Sequence, residues 1–136
     1  MLTRRTSLLA GSLLMVLAVA GCSGSSGGTI PDITGTWTGT ARFADVDGSV
    51  KGSPERFVVE KQDGELVWGT VEYQNPDGST AKETVTGSFI DGGKGIVLTE
   101  RAALWQGEVS GTTMKITVSW TTDPSHGAFQ MTLTKQ

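Results

Sequence analysis

The chain has little of several residue types that would announce a function: in 136 residues there is one cysteine, one histidine, one tyrosine and four prolines. A single cysteine excludes a disulfide framework within the chain, so an extracytoplasmic domain must be held by its apolar core. His126, alone in a Pro/Gly turn, leaves no His/Cys cluster for zinc-type coordination and no setting such as Gly-x-Ser-x-Gly that would activate a nucleophile. The segments Asp45-Val46-Asp47-Gly48 and Asn75-Pro76-Asp77-Gly78 look faintly like calcium loops, but Arg56 and Thr86 stand where the closing acidic ligand belongs, and both read as plain turns. Lys and Arg number 11 against 14 Asp and Glu, for a formal net charge of −3 at pH 7. The basic residues are scattered singly, with no run and no aromatic interleaving, which excludes nucleic acid as a partner. No metal, no cofactor and no catalytic residue is expected, and the protein reads as not an enzyme; Glu60, Glu72, Glu83, Glu100 and Glu108 are read as residues of an exposed face.

What is present begins with an address. Met1-Leu2-Thr3-Arg4-Arg5 is a short positive stretch, and residues 8–20 form an apolar run interrupted only by Gly11 and Ser12. That run is too short to cross a ~30 Å hydrocarbon layer as a permanent helix, and it ends in small residues instead of a basic stop-transfer cluster. Val19-Ala20-Gly21-Cys22 resembles the bacterial lipobox, in which the cysteine thiol takes up the diacylglyceryl group. The expected organisation is a signal peptide over 1–21, a lipidated Cys22 with a Gly/Ser-rich linker over 22–30, and one domain over 31–136. Two or three acyl chains, at ~0.8 kcal/mol per buried methylene, would hold the domain at the membrane on the extracytoplasmic side. Ser23 is not the Asp that retains lipoproteins at an inner membrane, so the expected location is the outer membrane where the organism has one. Arg4-Arg5 followed by Ser7 points to the general secretory route over twin-arginine export.

The remainder reads strand, turn, strand. Trp37, Gly39, Ala41 and Phe43 alternate with Thr36, Thr38, Thr40 and Arg42, the period of a half-buried strand. Residues 44–55 are polar and carry Gly and Pro, as in a loop. Strands then follow over 56–61 and 66–73 around an Asp63-Gly64 hairpin step, and over 81–90, 96–101, 104–110, 113–120 and 128–135. After Cys22 no stretch places apolar residues at three- and four-residue spacing for the length of a helix. The expected fold is all-β: an eight-stranded antiparallel up-and-down barrel, since closure removes the edges that invite aggregation. Such a barrel has room for one small ligand or none.

Gly35-Thr36-Trp37 is similar to the opening of the calycin group, the lipocalins, fatty-acid-binding proteins and avidins. In lipocalins this tryptophan commonly plugs one barrel end under a basic residue from the last strand, which implies that Trp37 and Lys135 pack together. Residues 64–70, 85–89, 105–111 and 116–120 resemble the avidin strand pattern in the same order. The positions that hold biotin in avidins correspond here to Gly39, Phe43, Val71 and about Gly127, which cannot make those hydrogen bonds. The resemblance therefore implies the barrel and not the biotin activity.

Four tryptophans in so short a chain either fill a core or line a pocket. Trp37 is expected in the core, and Trp68, Trp105 and Trp120 are the candidate pocket walls; Trp105 and Trp120 match avidin positions that face ligand. Two functions follow. The first is a membrane-anchored envelope lipoprotein whose barrel binds a small apolar or amphipathic ligand. The second is a packed, non-catalytic structural or interaction module that meets another envelope protein through its outer face or through the loops over 44–55 and 121–127. The state of the barrel interior discriminates between them.

Overall fold

The computed structural model describes residues 28–44, 50–75, 77–122 and 125–136. The signal peptide, Cys22, most of the linker, Asp45–Gly48 in the first calcium-like segment, Pro76 and residues 123–124 lie outside the described residues. Eight strands run in order: β1 (Gly35–Ala44), β2 (Val50–Asp63), β3 (Leu66–Gln74), β4 (Thr80–Ile90), β5 (Gly95–Glu100), β6 (Ala103–Ser110), β7 (Thr113–Thr122) and β8 (Ser125–Lys135). A single 3-10 turn, Asp91–Gly93, joins β4 to β5. Each strand pairs antiparallel with the next, and β8 returns to β1 from Trp37 opposite Lys135 to Arg42 opposite Gln130. The fold is the closed up-and-down barrel that the alternation implies.

The turns follow their chemistry. Gly64 and Gly111 both adopt φ of 57°, a conformation that costs glycine little and other residues more. They lead the tight connections β2–β3 and β6–β7. One stretch departs from its sequence pattern. Residues 50–55, read as loop, are the first part of β2, with Pro54 opposite Thr40 and Val50 opposite Ala44. Pairing of β2 with β3 starts only at Glu55, so residues 50–54 are hydrogen-bonded on one side alone. At such an edge the missing proline N–H is tolerated. Thr121 and His126 likewise pair as strand residues of β7 and β8, not as a loop. The interaction loops expected over 44–55 and 121–127 are thus largely barrel wall.

Inward positions carry the core: Trp37, Phe57, Val71, Val85, Phe89, Ile96, Leu98, Met114, Ile116 and Leu133 are each almost wholly buried. Phe57 and Trp105 meet across the interior with centroids 5.8 Å apart, tilted by 59°. A bulge between Val59 and Lys61 inserts one residue into β2 and reverses the alternation. Beyond it Lys61 and Trp68 share the outer face, and Gln62, opposite the buried Val67, turns inward at the barrel end.

That end is plugged by residues 28–34. Gln62 accepts from the Ile33 N–H at 2.9 Å and donates to the Pro31 carbonyl at 2.9 Å, while the Trp37 indole donates to the Ile33 carbonyl at 2.8 Å. Ile33 is 1% exposed. Lys135 donates to the Asp32 carbonyl and holds its ammonium 5.7 Å from the Trp37 ring centroid, within cation–π range.

Barrel curvature depends on inward glycines where neighbouring strands press close. A Cβ on Gly39, Gly69, Gly87 or Gly107 would overlap a carbonyl oxygen of the adjacent strand, respectively Thr132, Val58, Val97 and Lys115. Backbone cannot yield cheaply, so Gly107→Ala is expected to destabilise by about 1–3 kcal/mol. The exposed control Thr117→Ala should stay within about 0.5 kcal/mol. Equilibrium urea denaturation of the two variants checks this.

Candidate binding cavity

The barrel end opposite the plug is hollow. The inward residues that β1, β2 and β6 bring to this end include Ala41, Ser53 and Ala103, too small to fill it as Phe57, Phe89 and Leu133 fill the core below. The result is an open cavity of about 470 Å³, lined by Ala41, Phe43, Ser53, Glu55, Tyr73, Gln74, Asn75, Glu100, Ala102, Ala103, Trp105, Val118, Trp120 and Phe129. Gln74 and Asn75, where β3 leads toward β4, and Ala102 in the β5–β6 connection lie at its mouth. Trp120 lies over its cross-strand partner Gly127, where a Cβ would overlap the indole, and its ring tilts 47° to Phe129 at 5.7 Å. Glycine at 127 therefore lets the Trp120 ring lie along the wall.

The walls include five aromatic residues, and the charged groups among them, Glu55 and Glu100, are acidic. Glu55 is the one buried charged residue among the described residues, 8% exposed. Burial, reinforced by the charge of Glu100, pushes its carboxyl up to about 7 against the opposing Ser53 hydroxyl. Glu100 is raised as well, first by burial and then by Glu83, with the Trp105 indole N–H easing the shift. The indole does not complete a hydrogen bond: Trp105 Nε1 and Glu100 Oε2 are both buried without a partner. Tyr73 is raised by burial and by Glu100, Glu83 and Glu55, with Arg101 acting in the opposite direction. The ion pairs of Glu72 with Arg56 at 3.0 Å and Lys82 at 3.7 Å lie on the outer face.

Of the three candidate wall tryptophans, Trp105 and Trp120 line the cavity together. Trp68 does not. It shares the outer face with Lys61, whose ammonium sits 4.8 Å from its ring centroid, because the neighbouring Val67 takes the inward position. Trp37 and Lys135 meet at the plugged end, away from the cavity. His126 is exposed on β8. In the second calcium-like segment, Asp77 Oδ1 accepts from the Ser79 N–H and hydroxyl at 2.9 and 2.6 Å, so this carboxylate is committed to the turn. No group of three or more His, Cys, Asp or Glu able to hold a metal ion occurs among the described residues.

Sequence reasoning passed over Glu55, Tyr73 and Glu100 as site residues. Glu55 was hidden in an apparent loop, and Glu100 was grouped with exposed acids. The signal was parity: Glu55 is in step with Phe57 and Val59, and Glu100 with Ile96 and Leu98. Compared with known proteins, the chain matches no family model and no curated protein.

A carboxyl whose pKa is higher folded than unfolded makes the fold bind the extra proton. Stability from Glu55 is therefore full below its ordinary value of 4.5 and falls as pH rises to about 7. The expected loss is on the order of 2 kcal/mol. Denaturation midpoints measured from pH 4.5 to 8 should show this decline, and Glu55→Gln should flatten it.

Proposed function

We propose that the protein is a membrane-anchored envelope lipoprotein, non-catalytic, whose barrel carries a small apolar or amphipathic ligand in the cavity at its open end. The observation that supports this reading is the cavity itself: about 470 Å³, concave and mainly apolar, with Phe43, Tyr73, Trp105, Trp120 and Phe129 among its walls and polar groups set between them. Those are the attributes of small-molecule sites, which typically span about 300–1,000 Å³. A packed module would fill this space with side chains from facing strands, as the same barrel does at its other end.

The anchor fits the geometry. Gly28 lies against Gly92 at the plugged end, and the few residues back to Cys22 extend at most roughly 20 Å. Acyl chains on Cys22 would hold that end toward the bilayer, leaving the mouth on the far side and ligand exchange facing the aqueous compartment. Trp105 and Trp120 serve as walls in this reading, with Phe43, Tyr73 and Phe129.

Native mass spectrometry of the protein purified from its own host tests the carrier role. A small molecule that survives desalting and is displaced in Ala103→Trp, which fills the cavity, is the expected result. An empty protein whose tryptophan fluorescence ignores a panel of lipids, haem and biotin would overturn it and direct the search to protein partners. For the anchor, Cys22→Ser should move the protein from the membrane to the soluble extracytoplasmic fraction.

A further inference from the structure

We infer that the ligand of the open-end cavity is an organic cation, a protonated amine on an apolar body, received by Glu100 and Glu55 with its body between the aromatic walls. The inference rests on the carrier reading above and names the class of its cargo.

Two independent observations converge on it. Trp105, only 2% exposed, and Glu100 both line the cavity, and there Trp105 Nε1 and Glu100 Oε2 are buried with neither completing a hydrogen bond. Buried polar atoms are ordinarily satisfied, and an orphaned pair in a cavity wall marks a place where another molecule supplies the missing groups. The second observation is the sign of the charge. Glu100 adds to the electrostatic cost of the buried Glu55, and Glu83 adds to that of Glu100. A cation removes that cost; a fatty acid or phosphate would add a further negative charge, and a neutral lipid would leave the carboxylates unmatched. Aromatic ring faces around the site favour a cation for the same electrostatic reason.

A bare metal ion is the poorer fit, because the acidic side chains do not converge as a metal-holding group among the described residues. An ammonium with an apolar body uses both the acidic patch and the aromatic walls. A hydroxyl or carbonyl oxygen close to the amine would in addition accept from the Trp105 indole.

Isothermal titration of the whole chain near pH 8 with phenylbutylamine, phenylbutanol and phenylbutyrate, which share one body and differ in charge, tests the inference. The amine should bind at least about tenfold more tightly than the alcohol, as expected for a charge-assisted hydrogen bond in a buried site, and the acid most weakly. Glu100→Gln should remove most of that preference, with its far-UV circular dichroism and thermal midpoint verifying that the variant is folded. Equal binding of amine and alcohol, or an amine preference that survives in the Glu55→Gln, Glu100→Gln double variant, would overturn the inference and leave the carrier reading intact. If none of the three binds while a neutral or anionic molecule co-purifies, the inference alone falls; if nothing binds and nothing co-purifies, both fall.

Discussion

The structure depends on one closure: β8 must return to β1, so that every strand has a neighbouring strand on both sides. Small closed barrels demand strong curvature, and side chains on the inner surface compete for the space that curvature removes. Glycines at 39, 69, 87 and 107 relieve the competition by letting backbone press against backbone. Closure also converts a local period of two into a global partition, because every second residue of every strand is committed to one interior. With the sole cysteine at position 22, no disulfide supplements this packing in the barrel, and its apolar interior carries the stability of the fold.

The same alternation produces two unlike ends. Toward the plug, the bulge in β2 aims Gln62 inward, and Gln62 grips residues 31–33 through both halves of its amide. Trp37 then has an acceptor for its indole N–H in the Ile33 carbonyl, and Lys135 covers the ring. Each buried polar group at this end is answered from within the chain. Toward the mouth, small inward residues leave a cavity, and the Trp105 indole, beside Glu100, completes no hydrogen bond.

Much of the architecture was readable from residue order alone. All eight strands follow from alternation and from Gly-containing turns, and eight-fold closure follows from avoiding edges. The start of β2 was not readable, since Gly52 and Pro54 speak against a strand locally and only pairing with β1 overrides them. That local misreading concealed Glu55. Trp68 shows the complementary difficulty: a scarce aromatic suggests a pocket by its type, yet its face is decided by the parity of Val67 and Val71 beside it. Trp105 and Trp120 line the cavity, Trp120 being in step with the inward Ile116 and Val118 of β7. The acidic character of the cavity depended on three strands coming together, a relation no single segment contains.

A buried carboxylate is poor support for a fold. Taking Glu55 and Glu100 out of water costs stability, and neither recovers it through an ion pair of the kind Glu72 makes outside. Replacing either by glutamine or an apolar residue would strengthen a barrel whose only task was to stand. Their location sharpens the point, for both sit in the hollow half, where solvent and ligands enter, and the sealed half has no counterpart among its buried residues. Destabilising groups confined to a concave, accessible, aromatic-walled space are what a binding site requires and a packing solution avoids. The distribution of charge thereby points to the same end of the barrel as the distribution of volume, although the two arise from different residues.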